Sequence, residues 1–320
     1  MSVARPVFVD DATPAGKLAT EACVLVIGNF DGVHRGHRAV LEQAVRDARD
    51  AGLEACALTF DPHPSEVVGP GAPLFLTSLE DRVDLIGALG IDRVYVRRFD
   101  LAFASWTPER FARDLVARSL SAKVVVVGEN FRFGARRTGD LSLLRSLGFE
   151  LGFEARVHAV ATDERGPYSS TRARDAIVAG DLDEAERVLG RAHAVTGIVV
   201  HGDARGHTLG FPTANLDAVP ELLPRNGIYV VGVDRYDGST FVPLGRGVTS
   251  VGVRPTITDG PQAGRRTVET YVLDYTGDLY GVRLRLHFRA RLRDEKKFGS
   301  LAELTRAIGE DVARARTALF

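Results

Sequence analysis

Two histidines follow an apolar run and a glycine-containing turn in the segment VLVIGNFDGVHRGH, residues 24–37. The run predicts a β-strand ending at Ile27, and the residues from His34 onward predict the start of a helix. Helix N-termini carry unpaired amides and a partial positive charge, so they bind anions, and Gly36 lets a ligand approach the backbone. Because His34 and His37 are three residues apart, both imidazoles share one face and can donate to phosphate oxygens. The pair alone is equally consistent with surface histidines of a first helical turn.

A hydroxyl-rich segment, SSTRAR at 169–174, predicts the start of another helix. Ser and Thr are common N-caps, so capping alone accounts for the hydroxyls. The guanidinium of Arg174 matches the geometry of phosphate oxygens, so the segment can also hold a triphosphate. The chain has no GxxxxGK[ST] phosphate loop, and the glycines after Ile27 do not follow a dinucleotide fingerprint.

Two predicted loops carry further polar residues. In DPHP, prolines flank His63 and stiffen the loop, which is a structural role unless the ring contacts a ligand. In GENFRFG, the side chain of Asn130 can contact a ligand, whereas Phe131 and Phe133 are equally well explained as core aromatics. Neither loop decides the chemistry by itself.

A second polar cluster lies in TGIVVHGDARGHTLGFPTANL, residues 196–216. Its glycines, Gly202, Gly206 and Gly210, make a pliant loop whose amides can wrap phosphates. Thr213 and Asn215 are two residues apart, so on an extended backbone their oxygens point to one side and can converge on a hard cation. A turn-capping pair explains the same two residues.

Glu269 lies in the alternating segment TVETYVLDY. The alternation places Val268, Thr270 and Val272 on one face of a strand and Glu269, Tyr271 and Leu273 on the other. A carboxylate that shares a face with apolar side chains is partly desolvated, which raises its pKa towards that of a usable general base. An exposed strand glutamate is the alternative.

These residues must be positioned by an α/β region followed by a β-rich one. Up to about residue 190, short β-branched runs at 24–27, 55–60, 92–96, 123–127 and 155–160 alternate with helical patterns. This alternation predicts a doubly wound parallel sheet, which binds ligands at the carboxyl ends of its strands.

After residue 190 the pattern changes to strand after strand. Runs at 196–202, 227–233, 241–245, 267–275 and 282–288 are separated by glycine and proline, which predicts a small antiparallel β-barrel. A closing helix follows Ser300, with Glu303 as a possible capping-box partner. We therefore predict two domains, 1–190 and 191–320, without a long linker.

Composition excludes several classes of protein. The formal net charge of -1 gives no sign of binding to nucleic acid or an anionic membrane. The two cysteines, Cys23 and Cys56, lie in apolar runs and make no disulfide framework. The N-terminus lacks the apolar region of a signal peptide, and no later run reaches the ~18 apolar residues of a membrane span. A cytoplasmic location is the resulting expectation.

Several motifs together resemble one family. The string GNFDGVHRGH resembles the HxGH signature of nucleotidylyltransferases, and more specifically the start of bacterial bifunctional riboflavin kinase/FAD synthetases. That family's Ser-Ser-Thr and arginine signature is matched by Ser169, Ser170, Thr171 and Arg174. The blocks FDPHPSEV, VVGENFRFGARRTGD, GFPTANL, SVGVRPT, VETYVLD and DLYG also resemble the family, in its order. Tyr168 and Ser250 depart from it at variable positions.

The resemblance implies that the N-terminal domain adenylylates FMN with ATP and that the C-terminal barrel phosphorylates riboflavin. His34, His37 and Arg174 would stabilise charge, Glu269 would be the general base of the kinase, and Thr213 and Asn215 would bind Mg²⁺. The implied substrate- and nucleotide-binding residues are Gly28, Asn29, Phe30, Asp31, Gly36, Phe60, His63, Asn130, Ser169, Ser170, Thr171, Gly202, Arg205, Gly210 and Arg254.

The implied ligands are riboflavin, FMN, FAD and ATP or ADP with Mg²⁺, and no tightly bound prosthetic group is expected. The resemblance leaves open whether the chain forms a homo-oligomer. Two alternatives are a nucleotidylyltransferase for another phosphate substrate with an unrelated β-domain, and a flavin-binding regulatory protein that has lost one activity. The motifs of the second domain argue against the first, and the intact candidate residues argue against the second.

Overall fold

A computed structural model describes residues 6–9, 21–71, 73–201, 210–217, 219–253 and 266–318. The described residues form two compact units: those up to 75 and from 79 to 170 make the first, and 76–78 with those from 171 onward make the second. The domain boundary at residues 190 and 191 stays a prediction.

The first unit is built on a parallel sheet, as predicted, and the sheet has six strands because a strand at Pro6–Val9 joins the five that the sequence indicated. Its strands lie in the order β1-β4-β3-β2-β5-β6. Their bounds are β1 (Pro6–Val9), β2 (Cys23–Ile27), β3 (Glu54–Asp61), β4 (Arg93–Arg98), β5 (Ala122–Gly128) and β6 (Glu154–His158). The central strand β2 is the one that leads into the two histidines, so these lie at the carboxyl end of the sheet.

Helices bury both faces of this sheet, which explains why its strands are continuous apolar runs. Leu25 and Leu144 belong to the apolar cluster on one face, and Val24 and Leu41 to the cluster on the other. The helices are α1 (Arg35–Ala51), α2 (Pro64–Val68), α3 (Leu79–Gly87), α4 (Leu101–Ala104), α5 (Pro108–Arg110), which continues as a π-helix (Phe111–Ser119), and α6 (Leu141–Leu151). A hairpin of β7 (Thr162–Asp163) and β8 (Gly166–Pro167) follows the sheet.

The second unit contains the predicted barrel, a closed antiparallel one in the order β10-β13-β12-β11-β14-β9. Helices α7 (Ser170–Ala179) and α8 (Leu182–Leu189) precede it in the chain. The strands are β9 (Ala194–Val200), β10 (Ala214–Asp217), β11 (Gly227–Tyr236), β12 (Phe241–Val253), β13 (Arg266–Val272) and β14 (Arg283–Arg293). Val195, Tyr229, Val268 and Leu284 point into its core.

A C-terminal helix, α9 (Leu301–Thr317), packs on the outside of the barrel. Its predicted cap is confirmed, because the Glu303 amide donates to Ser300 Oγ at 3.2 Å. The carboxylate of Glu303 accepts from the Gly299 amide at 3.1 Å, one residue before the partner that a capping box would use. Asp311, which is buried, binds Arg293 of β14 through two oxygens and fixes the helix to the barrel.

Candidate active sites

The histidine turn, residues 28–37, begins where the backbone of β2 is held to β3. The Gly28 amide donates to the carbonyl of Leu58 at 3.1 Å. Phe30 and Val33 then adopt positive φ values of 52° and 38°, a region that is unfavourable for residues with a Cβ. Both side chains are buried in the core, which stabilises this strained backbone. The apolar anchors therefore set the path of the turn.

The two histidines stack on each other at the end of this turn. Their ring centroids are 3.6 Å apart, with an angle of 21° between the planes. His34 is the N-cap of α1, and its Nδ1 accepts a hydrogen bond from the His37 amide at 3.3 Å. The rings of Phe30 and His37 pack edge to face, with their centroids 5.3 Å apart. The prediction that both imidazoles share one face is confirmed.

Burial lowers the pKa of His37 well below its ordinary value of 6.5, and the neighbouring His34 and Arg82 lower that pKa further. Its Nδ1 is buried without a hydrogen-bond partner. Protonating the ring would therefore bury an N–H as well as a charge. Without ligand, His37 is neutral at physiological pH.

Gly36 is closely packed within the first unit. A Cβ at this position would lie 3.0 Å from the His34 ring and 3.2 Å from the backbone oxygen of Tyr168. The expected reason for this glycine was the approach of a ligand, and the structure shows that the protein's own groups already approach it. At Gly28 a Cβ would similarly lie 3.0 Å from the ring of Phe30.

The hydroxyl-rich segment is joined to the histidine turn through Ser170. Its Oγ donates to the backbone oxygen of Asp31 at 2.9 Å. The Asp31 side chain is buried, Ser169 is partly exposed and Thr171 is exposed. Arg174 lies one turn further along α7 and is partly exposed.

The structure also brings Asn29 and His63 together. The Asn29 amide group lies 2.9 Å from His63 Nε2, and His63 Nδ1 accepts from the Ser65 amide at 3.2 Å as the N-cap of α2. His63 thus has a structural role alongside its predicted contact with ligand. Phe60 lies in the apolar cluster, whereas Asn130 is exposed just after β5.

Sequence reasoning missed Arg82, a buried arginine of α3 that is 3% exposed. Its Nη1 donates to Thr59 Oγ1 and to the backbone oxygen of Phe60, both at 3.3 Å. The signal was present in the spacing, because Arg82 precedes the buried Ile86 by four residues and so shares its inward face.

The barrel groups its candidate residues by strand register. Asn215 of β10 lies directly opposite Glu269 of β13, and Ser250 of β12 lies opposite Glu269 on its other side. Directly opposite residues share a face, with Cβ atoms about 5 Å apart. Thr213 precedes Asn215 by two residues, and its backbone oxygen accepts from Asn215 Nδ2 at 3.4 Å.

The face that carries Glu269 is partly covered by apolar groups. Val268, Thr270 and Val272 are buried inside the barrel, as the alternation predicted, and Glu269 is half-buried outside. Tyr271 packs against Phe211 at 5.4 Å in the apolar cluster beneath α9. Gly210 is exposed with φ 81°, whereas Gly202, Arg205 and Arg254 lie outside the described residues.

The described part of the chain shows neither a metal-binding cluster nor a membrane span. It holds no group of three or more His, Cys, Asp or Glu that could bind a metal ion. No helix in the same residues is long and apolar enough to cross a membrane.

Comparisons with known proteins match both units. A FAD synthetase family model matches residues 17–172, and a riboflavin kinase model matches residues 189–319. The bifunctional riboflavin kinase/FMN adenylyltransferase of Escherichia coli (strain K12) is 40% identical over 298 residues, 92% of each chain. Proteins with the same description are 37% identical in Pseudomonas fluorescens, over 92% of each chain, and 34% in Listeria monocytogenes, over 96% of this chain and 94% of the relative.

The crystal structure of a protein from Streptococcus pneumoniae, named a macrolide-efflux protein, matches with a TM-score of 0.84 and 28% identity, over 99% of this chain and 100% of the other. The family models, over residues 17–172 and 189–319, and the curated relatives, over 92% or more of this chain, agree with each other. The chain therefore belongs to the family of bifunctional riboflavin kinases/FMN adenylyltransferases, enzymes of FMN and FAD biosynthesis.

Proposed function

We propose that the histidine turn is the nucleotide site of FMN adenylylation. An oxygen of the FMN phosphate attacks the α-phosphorus of ATP, a new P–O bond forms, and the bond to the β-phosphate oxygen breaks to release pyrophosphate. No proton has to be removed from an ionised phosphate, so catalysis consists of positioning and charge stabilisation. The stacked imidazoles at the carboxyl end of β2 are the observation that carries this proposal.

His34 and His37 hold the triphosphate in this scheme, and Arg174 neutralises charge that develops on it. A neutral His37 can donate one hydrogen bond, and the negative charge of ATP favours its protonation, which strengthens the contact. Gly28, Phe30, Asp31 and Gly36 shape the turn. Ser169 and Thr171 are the proposed nucleotide-binding hydroxyls, whereas Ser170, which donates to the Asp31 carbonyl, is proposed to hold the turn in place for the nucleotide. Asn29, Phe60, His63 and Asn130 are the proposed contacts to flavin or nucleotide.

The barrel is the proposed site of riboflavin phosphorylation, with Glu269 as general base. Its carboxylate takes the proton of the ribityl 5′-hydroxyl as that oxygen attacks the γ-phosphorus of ATP and ADP leaves. The position of Asn215 opposite Glu269 supports this assignment, because it places the base beside the proposed metal-ATP ligands. Gly202, Arg205, Gly210 and Arg254 are the proposed phosphate and substrate contacts of the kinase.

Mg²⁺ is the proposed metal of the kinase site, with Thr213 and Asn215 as its ligands. Asn215 uses its amide N–H groups toward the Thr213 carbonyl, which leaves its oxygen to face a cation. Two neutral oxygen ligands suit Mg²⁺, which keeps several waters and binds substrate phosphates. When bound, the ion would neutralise charge on the β- and γ-phosphates.

Two domains and a cytoplasmic location are part of the proposal. The FAD synthetase model ends at residue 172 and the riboflavin kinase model begins at residue 189, beside the predicted boundary, which supports 1–190 and 191–320 as the two catalytic domains. Both cysteines are free, which suits the cytoplasm as the proposed compartment.

Product analysis tests the two-site proposal. Purified protein with riboflavin, ATP and Mg²⁺ should give FMN first, and then FAD with pyrophosphate. Glu269→Ala should stop FMN formation yet leave FAD formation from supplied FMN, and His37→Ala should do the reverse. Loss of both activities in either folded variant would contradict two separate sites.

A further inference from the structure

The buried Arg82 guanidinium lies directly beneath the histidine turn. Burying a charge is costly unless it is paired and hydrogen-bonded, so a fully enclosed arginine needs a reason beyond packing. Arg82 makes its two hydrogen bonds at the carboxyl end of β3, to Thr59 Oγ1 and the Phe60 carbonyl. This is the strand that pairs with β2, so its carboxyl end and the start of the turn are neighbours.

Thr59 links Arg82 to the histidine turn by hydrogen bonds. A guanidinium can only donate, so the Thr59 hydroxyl accepts from it and must direct its own proton elsewhere. That proton goes to the backbone oxygen of Asn29 at 3.0 Å. Two hydrogen bonds with fixed directions therefore link the Arg82 guanidinium to the backbone that leads to His34.

The charge of Arg82 also acts on the turn. Burial lowers the pKa of Arg82, whereas the carboxylates of Asp31 and Asp61 favour its charged form. Arg82 and His34 are the groups whose charge acts on His37, in addition to the burial of its ring. The positive charge of Arg82 is thus close enough to the stacked imidazoles to act on His37.

From these contacts we propose that Arg82 is a positioning residue for FMN adenylylation, which holds the histidine turn through Thr59 and adds a positive field beneath the bound phosphates. The inference rests on the proposed nucleotide site at His34 and His37. It adds a residue that makes no contact with the reacting atoms. Its effect should appear in kcat more than in KM, because a field and a geometry matter most in the transition state.

Three variants separate the two parts of this role. Arg82→Met removes the charge and both hydrogen bonds at similar volume, and Arg82→Lys keeps the charge. Thr59→Val removes the hydroxyl that joins Arg82 to Asn29, but leaves the charge of Arg82 and its hydrogen bond to the Phe60 carbonyl in place. Arg46→Met, an exposed arginine of α1, is the control. Circular dichroism and urea unfolding of each preparation report whether the first unit is folded, and riboflavin kinase activity is the internal control for the second unit.

We expect Arg82→Met to lower kcat for FAD formation about 100-fold with KM for ATP changed less than about threefold, as small misplacements of reacting groups do. Arg82→Lys should restore part of that loss, and Thr59→Val should cost about tenfold. Labelled-histidine NMR should show a higher pKa of His37 in Arg82→Met, a change that requires no turnover.

The proposal is overturned if Thr59→Val and folded Arg82→Met retain kcat, or if the pKa of His37 does not move in Arg82→Met. If Arg82→Met does not fold, Thr59→Val and Arg82→Lys take its place: a lower kcat for FAD formation supports the proposal, and an unchanged kcat overturns it. His37→Ala distinguishes the underlying assignment: if it leaves FAD formation intact, the nucleotide site itself is misplaced, whatever Arg82 does.

Discussion

The histidine turn and the outer face of the barrel hold their polar residues in opposite ways. The turn uses left-handed backbone at Phe30 and Val33, a histidine stack and the buried Arg82 beneath it. The barrel face uses regular strands, where Asn215 and Glu269 are neighbours by register alone. In the turn, core packing stabilises a strained backbone. On the barrel face, the regular alternation of residues along the strands is enough to place the polar groups.

This difference predicts different sensitivities. Because close contacts hold the turn, a substitution away from its functional groups should lower activity by displacing them, even though every functional group remains. A row of residues on a sheet should tolerate changes beside it and respond to loss of the functional group itself. Substitutions in the two units can therefore separate the effect of geometry from that of the functional groups.

The largest effect is expected at Glu269. Glu269→Gln keeps the size of the side chain and removes the base, so kcat for FMN formation should fall 10²–10⁴-fold, the usual contribution of a general base. Ser250→Ala, the neighbour across β12, should stay within about tenfold. Steady-state kinase assays measure both variants, and equal losses would mean that this face acts by geometry, as the turn does.

The buried residue His193 of the second unit should affect the free energy of unfolding but not the activity. Burial lowers the pKa of His193 to about 4, while its Nε2 donates to the Leu222 carbonyl. The unfolded chain binds the proton first as pH falls, so stability is complete above pH 6.5 and declines towards pH 4. The total loss is about 3 kcal/mol for a pKa change of this size.

Urea unfolding of the second unit at pH 7, 5.5 and 4.5 measures this loss, followed by a spectroscopic signal from that unit. In His193→Gln, the free energy of unfolding should fall less between pH 7 and pH 4.5. ATP should raise the pKa of His37 and leave that of His193 unchanged, because only the first is proposed to face phosphate. An equal response of both histidines to ATP would remove the distinction.

The third prediction tests geometry alone in the turn. Gly36→Ala adds one methyl group that would press on the His34 ring and on the Tyr168 carbonyl. We expect FAD formation to fall about 100-fold with riboflavin kinase activity unchanged. Gly309→Ala in α9 is the control, since a Cβ there meets open space and should be neutral or slightly stabilising. Full activity of Gly36→Ala would show that the histidine stack tolerates displacement.

The same contrast explains what the sequence could predict. The alternation of TVETYVLDY was enough to place Val268, Thr270 and Val272 inside and Glu269 outside, because a strand has one period and two faces. The parallel sheet and the barrel followed from the order of apolar runs. These features depend on local patterns that tertiary structure does not override.

The support of the turn could not be predicted in the same way. Arg82 and Thr59 are 23 residues apart in the chain, and only the pairing of β2 with β3 brings them under Asn29. The left-handed backbone of Phe30 and Val33 depends on core packing that no local propensity encodes. Gly36 was noticed, but the residues that require it, His34 and Tyr168, are separated by most of the first unit.

The smallest expected effect concerns Ser170, the last residue of the first unit, which is bound to the turn. Its single hydroxyl proton is donated to the Asp31 carbonyl, so it is not available to a phosphate, which can only accept. Ser170→Ala should therefore cost about 1 kcal/mol of stability in the first unit, the usual value for one hydrogen bond, and about fivefold in FAD formation. Ser142→Ala, an exposed residue of α6, is the control. A much larger loss of activity at unchanged stability would show that the hydroxyl leaves Asp31 to bind nucleotide, and that this side of the turn acts by direct chemistry, as the barrel face does.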